Sequence, residues 1–124
     1  MKILVVDDET DVQALFEQRF RREIRSGEYA FAFANSGEEA LRYLDEHASE
    51  IVLILSDINM PGMSGLELLR HIRVDHPTAP PVIMMITAYG DAENHDQAMQ
   101  LGANDFLTKP LNFNELKQKL HETL

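Results

Sequence analysis

The sequence predicts an α/β fold in which five parallel strands form one sheet with helices on both faces. Short apolar runs alternate five times with longer amphipathic stretches, which is the pattern of repeated strand–helix units. Most of these runs are apolar throughout, as expected for strands buried on both faces of a doubly wound sheet. The chain has 124 residues, so we expect residues 1–124 to form a single domain.

Three strands and two helices are predicted in the first half of the chain. Ile3 to Val6 is a continuous apolar run, and Tyr29 to Ala34 alternates aromatic residues with alanine at the strand period of two. The run from Ile51 to Ser56 is the third strand. Between these runs, helix spacing puts four apolar side chains on one face (Val12, Leu15, Phe16 and Phe20), and Ser36 opens a helix that extends to about His47.

The second half continues the same alternation after a loop over 61–65 that contains proline and two glycines. A helix is predicted over 66–74, a strand over 81–87, a helix over 92–101, a short strand over 105–107 and a last helix over 112–121. Asn112 or Asn114 is a suitable N-cap for the last helix, because a side-chain amide oxygen accepts a hydrogen bond from the first turn.

Composition excludes several classes of function. There are no cysteines, which excludes disulfides, thiolate metal sites and a cysteine nucleophile. Eleven basic and 21 acidic residues give a formal net charge of −10, which disfavours direct binding of nucleic acid or an anionic membrane. No signal peptide is evident and no apolar run is long enough to cross a bilayer, so we expect a cytoplasmic protein.

Polar residues follow four of the predicted strands. Asp7, Asp8 and Glu9 follow the first, Asp57 and Asn59 the third, Thr87 and Ala88 the fourth, and Lys109 the fifth. The carboxyl ends of parallel strands lie at one edge of the sheet, so these loops meet in one cleft.

The residues of this cleft suggest phosphoryl transfer. Clustered carboxylates need a counter-charge, and Mg²⁺ prefers a few carboxylate oxygens while keeping several waters. A carboxylate flanked by a metal ion, an ammonium and a hydroxyl can accept a phosphoryl group, because the donors neutralise the transferring oxygens. Asp57 stands alone on the middle strand and is the predicted nucleophile, with Asp7 and Asp8 holding the metal.

Four motifs in order resemble the receiver domain of two-component response regulators, in particular the chemotaxis type. They are Val5-Val6-Asp7-Asp8-Glu9, the segment from Ser56-Asp57 to Ser64-Gly65, Ile86-Thr87-Ala88, and the segment from Gly102-Ala103 to Thr108-Lys109-Pro110. The match covers almost the whole chain. It implies a flavodoxin-like (βα)5 fold with strand order 2-1-3-4-5, and a single receiver domain over residues 1–124.

The resemblance also implies a role for each matching residue. Asp57 is implied as the phosphoacceptor, Thr87 and Phe106 as switch residues, and Ala88 and Lys109 as groups that bind the phosphoryl oxygens. Asn59 and Tyr89 are implied to tune the rate of phosphate loss. The implied metal shell comprises Asp7, Asp8, Asp57 and the backbone carbonyl of Asn59, and the Lys109–Pro110 peptide bond is implied to be cis.

A phosphorylation-controlled switch is the function that these roles imply. A histidine kinase or phosphotransfer protein is expected to donate a phosphoryl group to Asp57 with Mg²⁺ as cofactor. The face made by the fourth helix, fifth strand and fifth helix is then expected to change shape and control a downstream output. The chain is not expected to be an enzyme beyond catalysing its own phosphorylation and dephosphorylation.

Three alternatives remain open at this level. A phosphatase of the haloacid dehalogenase type also uses an aspartate nucleophile, but it requires an Asp-x-Asp pattern where this chain has Asp7-Asp8-Glu9. A flavodoxin-like binding module requires a Ser/Thr/Gly-rich phosphate loop after the first strand, where these carboxylates would repel phosphate. The third alternative is a receiver that belongs to a longer regulator.

Some features have an ordinary structural explanation. The five histidines lack the paired spacing of a metal site, and Asp7 and Asp8 on their own would be read as turn or N-cap residues. Phe106 is apolar enough to be core. The basic cluster from Arg19 to Arg25 is typical of a solvated helix C-terminus, and its alternative is a docking patch for an acidic partner.

Overall fold

The computed structural model describes residues 1–77, 82–88 and 92–124. In chain order the elements are β1 (Lys2–Val6), α1 (Val12–Arg19), α2 (Arg21–Ser26), β2 (Ala30–Ala34), α3 (Gly37–His47), a 3-10 turn (Ala48–Glu50), β3 (Ile51–Asp57), α4 (Gly65–Asp75), β4 (Val82–Thr87), α5 (Ala92–Gln100), β5 (Asp105–Thr108) and α6 (Phe113–Thr123). None of the described helices combines the length and the apolar character needed to span a membrane.

All five strands pair in parallel, in the order β2-β1-β3-β4-β5. The predicted fold class and strand order are therefore confirmed. From β1 the chain passes to β2 at one side of the sheet, and it then returns to β3 and continues through β4 to β5 at the other side. The order in which strands are added therefore reverses between β1 and β3. In sheets of this kind the crevice at that reversal is where ligands bind.

Each face of the sheet has its own apolar core. Alternate residues of β1 point to opposite faces, so Leu4 and Val6 pack with α3, α4 and α5, while Ile3 and Val5 pack with the helices at the two ends of the chain. This arrangement explains why the strand runs are apolar throughout rather than alternating.

Three of the helices begin at a side-chain cap. The predicted cap Asn112 accepts a hydrogen bond from the Glu115 N–H. Ser36 and Ser64 do the same for α3 and α4, each accepting from the glutamate three residues later. Such caps satisfy backbone donors that have no partner within the helix.

The first helical segment differs from the prediction in two ways. The helix ends at Arg19, and a second short helix begins at Arg21, so the described residues form six α-helices rather than the five that the strand–helix repeats implied. Phe16 and Phe20 are buried as predicted, but Leu15 is 39% exposed. Leu15 lies on the packed side of α1, where it lines an open groove rather than the core.

Candidate functional site

The ends of the strands bring the predicted site residues to one edge of the sheet. Val6 is paired with Ser56, so the residues that follow them, Asp7 and Asp57, lie at the same level. Asp57 is paired with Ile86, and Thr87 with Thr108. The sequence positions directly after these pairs are occupied by Ala88 and Lys109. The register of four strands therefore positions the cleft.

Asp7, Asp8, Asp57 and Lys109 make up what we call the acidic pocket. One carboxylate oxygen from each aspartate can be chosen so that all three lie within 4.8 Å of one another. Asp57 is 1% exposed and Asp7 is 8% exposed, whereas Asp8 is more accessible. The Lys109 Nζ donates to Asp57 Oδ2 at 2.6 Å and lies 3.9 Å from Glu9 Oε1.

Backbone groups hold the two buried carboxylates in place. Asp57 Oδ1 accepts from the Asn59 N–H at 3.1 Å, and Asp7 Oδ1 accepts from the Glu9 N–H at 2.9 Å. Asp7 is therefore a turn residue as well as a pocket residue, while the N-cap position of α1 is taken by Asp11. Each aspartate is fixed by an N–H two residues further along the chain.

Burial and neighbouring charges shift the pKa values of Asp7 and Lys109. Burial raises the pKa of Asp7, and the nearby charge of Asp57 raises it further, despite the Glu9 N–H and the Lys109 ammonium. Burial alone would lower the pKa of Lys109, but its hydrogen bond to Asp57 and the surrounding carboxylates outweigh that effect and raise it. The pocket therefore disfavours the ionised form of Asp7 and retains the Lys109 ammonium.

These residues fit a divalent metal of the hard, oxygen-binding kind. Three carboxylates and one ammonium leave a local excess of negative charge, and Asp8 is open to solvent for a partly hydrated ion. Mg²⁺ prefers this donor set. Asp7, Asp8 and Asp57 are the side chains that would hold it.

Thr87 and Ala88 lie at the end of β4. Thr87 is 2% exposed, and its hydroxyl is buried with no hydrogen-bond partner among the residues that the structure describes. An unpaired buried hydroxyl costs about 1–3 kcal/mol, so its presence calls for an explanation. Ala88 is exposed. Tyr89, predicted to tune phosphate loss, lies outside the described residues.

Phe106 is half-buried on β5 and packs partly against the core under α3, α4 and α5. Its ring centroid lies 3.7 Å from that of His95 on α5, at an interplanar angle of 59°. The Lys109–Pro110 bond is cis, as predicted.

Two further residues of this region have packing roles that the sequence motifs did not predict. His95 is predicted to be structural or solvated, and its ring contacts the predicted switch ring; its position three residues before the buried Ala98 indicates this inward face. Gly65 is predicted as the end of a loop and of the second receiver motif, with no packing role. A Cβ at Gly65 would lie 2.2 Å from the Asp57 carbonyl oxygen, so glycine lets α4 start directly against the end of β3.

An open groove of about 550 Å³ adjoins the acidic pocket. We call it the α1 groove; Leu15, Phe16, Lys109, Pro110 and Phe113 are among its lining residues. It is apolar along α1 and α6 and shares Asp7 and Lys109 with the acidic pocket. A partner seated in this groove would be in contact with the ammonium that binds Asp57.

Comparison with known proteins agrees with this geometry. A model of the response regulator receiver domain matches residues 3–121. Response regulator RppA of Synechocystis sp. is 35% identical over 120 residues, which are 97% of this chain and 49% of RppA, so the chain spans about half the length of that relative.

Solved structures agree as well. A response regulator receiver domain protein from Clostridium thermocellum superposes with a TM-score of 0.84 at 29% identity, covering 98% of this chain and 91% of that one. Response regulator TrrA from Thermotoga maritima, solved in complex with Mg²⁺-BeF, gives a TM-score of 0.78 at 34% identity and covers 99% and 98% of the two chains.

Proposed function

Because this chain belongs to the response regulator receiver domain family, we propose that it is a switch operated by phosphorylation of Asp57. The observation that carries the proposal is the buried Asp57 carboxylate, held by Lys109 at 2.6 Å beside two further aspartates. Residues 1–124 would act as one receiver unit, and the predicted cytoplasmic location stays a prediction. Family membership removes the phosphatase and flavodoxin alternatives.

The reaction begins with a carboxylate oxygen of Asp57 attacking the phosphorus of a phosphohistidine. The new P–O bond forms as the P–N bond breaks, and the imidazole leaves and takes up a proton. Lys109 moves from the carboxylate toward the phosphoryl oxygens, which carry more charge. Bound Mg²⁺ supplies further positive charge at these oxygens, with Asp7, Asp8, Asp57 and the Asn59 carbonyl as its proposed ligands; the Mg²⁺-BeF complex of TrrA supports this cofactor.

Thr87 and Ala88 complete the phosphoryl site in this proposal. The Thr87 hydroxyl has no partner among the described residues, so a phosphoryl oxygen is an acceptor that it lacks before phosphorylation. The Ala88 N–H, next along the chain, is a second donor. Movement of this segment toward Asp57 is the step that turns a local charge change into a conformational one.

The α1 groove supports a protein donor, a histidine kinase or phosphotransfer protein. Leu15 is 39% exposed where α1 borders the groove, which leaves an apolar contact for a partner helix. Lys109 lies in the wall between groove and acidic pocket, so a helix bound there would bring its phosphohistidine close to Asp57.

The proposed output face consists of α5, β5 and α6, the fourth helix, fifth strand and fifth helix of the sequence prediction. Phe106 is half-buried there under His95, so an inward turn of its ring would break the contact with His95 and alter the surface of α5. Phenylalanine has no hydroxyl, so this readout works through shape rather than a hydrogen bond from the ring.

Phosphorylation by a small acyl phosphate tests the proposal. With Mg²⁺ present, the protein is expected to gain one phosphoryl group that is labile to hydroxylamine, and Asp57→Asn is expected to gain none. Asp96→Asn, at an exposed position on α5, is the matched control and should be labelled like the unchanged protein. Equal labelling of Asp57→Asn would contradict the assignment.

A further inference from the structure

A second charged site lies away from the acidic pocket, where the α1–α2 junction meets α6. It is an open cavity of about 670 Å³, which we call the basic groove; its charged lining residues are Arg19, Arg21, Arg22, Glu23, Arg25 and Lys117. Five cations and one carboxylate give it a formal charge of +4. The chain as a whole carries −10, so the remaining residues carry −14.

Helix dipoles account for only two of the four arginines in this cluster. The prediction of a solvated helix C-terminus fits Arg19 and Arg25, which stand in the last turns of α1 and α2. The break at Phe20 places Arg21 and Arg22 in the first turn of α2, where the dipole does not favour cations. Arg25 follows them at spacings of four and three, so the like charges also repel one another along the helix.

The guanidinium groups are not neutralised within the described part of the chain. None of the four groove arginines has a carboxylate within ion-pair distance there. Arg19 lies over the ring of Phe113 with its Cζ 5.6 Å from the centroid, which leaves its charge available. The three arginines of α2 are exposed.

Across the basic groove from α2, Lys117 of α6 is held in place by two contacts. Lys117 Nζ lies 3.1 Å from Glu23 Oε2 and 5.2 Å from the centroid of the buried Phe20 ring. Lys117 is thereby fixed at the edge of the groove, and less entropy is lost when a ligand binds. A ligand would meet one positioned ammonium and several exposed guanidinium groups.

We propose that the basic groove binds a compact anion bearing two or more phosphate groups, such as the polyphosphate of a nucleotide. The planar guanidinium matches phosphate oxygens in pairs, and the volume lies within the usual range for small-molecule sites. An extended polyanion would reach beyond the groove onto a surface that carries −14, with exposed carboxylates such as Glu17 and Glu28 on the adjoining segments. The acidic surroundings thus favour a small anion over nucleic acid or an acidic protein.

Titration with inorganic triphosphate tests this site. The titration is done in a chelator that keeps divalent metal away from the acidic pocket, at ionic strengths of about 0.05 and 0.15 M, and is followed by calorimetry. Saturable binding is expected, stronger at the lower salt. Arg22→Ala combined with Arg25→Ala should weaken it by roughly tenfold or more, since charge-assisted hydrogen bonds are lost.

Two control variants make the test specific. Arg42→Ala removes an exposed arginine of α3 and should leave binding within about twofold; equal weakening in this variant would overturn the proposal, since it would reflect general charge alone. Lys109→Ala should also bind normally, and loss of binding there would move the anion to the acidic pocket. Absence of saturable binding to the unchanged protein, or tighter binding of a glutamate-rich peptide than of triphosphate, would likewise overturn it.

Discussion

The acidic pocket and the basic groove both concentrate like charges, but they do so with different structural means. The pocket's charges stand at the ends of central strands, and two of its three carboxylates are buried. The groove's arginines are exposed on and beside a helix of six residues. Repulsion in the pocket is therefore strong and held by the sheet, whereas repulsion in the groove is weakened by solvent and salt.

Because of this difference, we expect the two regions to respond differently to substitution. In the pocket, close packing fixes the geometry on which the proposed phosphoryl transfer would depend, so small steric changes should be costly. In the groove, side chains adjust and water screens the charges, so single changes should cost little in stability and act mainly on ligand binding.

A pair of glycine substitutions should give the largest contrast. In Gly65→Ala the new Cβ meets the Asp57 backbone 2.2 Å away, and we expect a loss of about 2–3 kcal/mol with slower phosphorylation, because β3 or α4 must shift. Gly27→Ala, at the end of α2, meets no atom within 4 Å but has φ +82°, and should cost about 1 kcal/mol. Urea denaturation measures both. An equal or smaller loss for Gly65→Ala would mean that the pocket edge is not rigid.

Removing the negative charge of Asp7 from the acidic pocket should stabilise the protein. Asp7→Asn keeps an acceptor for the Glu9 N–H and removes a charge close to Asp57, so unfolding in the absence of divalent metal should cost about 1 kcal/mol more at pH 7. The pKa of Asp7 is raised on folding, so the ionised form destabilises the native state. The gain should be complete above the raised pKa and should vanish as the pH falls below the unfolded value of 3.8.

Thermal denaturation across this pH range shows whether Asp7→Asn raises or lowers the stability of the protein. Asp8→Asn is the comparison variant, because Asp8 is more accessible and its removal should stabilise less. A destabilised Asp7→Asn protein at pH 7 would show that the Asp7 carboxylate is a net structural contributor.

The smallest effect is expected in the basic groove. Arg22→Gln removes one of several like charges on an exposed surface, so stability should rise by only about 0.2–0.5 kcal/mol at low salt. The gain should disappear at an ionic strength of about 1 M, where the Debye length is near 3 Å. A salt-independent gain as large as that of Asp7→Asn would remove the contrast between the two regions.

The site could be predicted from the sequence where backbone topology alone decides the geometry. Parallel strands of similar length bring their carboxyl ends together, so Asp7, Asp8, Asp57 and Lys109 could be placed in one cleft from their positions after apolar runs. Thr87 was likewise placed at the end of β4. The roles assigned to these residues stay predictions.

Features that depend on tertiary contacts could not be predicted from the sequence, because those contacts override local signals. No proline or glycine marks the helix break at Phe20, whose ring packs against Phe16 with the centroids 5.7 Å apart. The basic groove depends on this break and on Lys117, about a hundred residues away in the sequence. The contact between His95 and Phe106 joins two elements whose spacing only the fold determines.

The central claim, that the acidic pocket accepts a phosphoryl group on Asp57, is tested most directly by locating the modified residue. After phosphorylation with a small acyl phosphate and Mg²⁺, reduction with borohydride converts an aspartyl phosphate to homoserine, and peptide mass spectrometry then finds its position. We expect homoserine at position 57 and unmodified aspartates at positions 7 and 8. Homoserine at either of those positions, or a phosphoryl group that resists reduction, would contradict the claim.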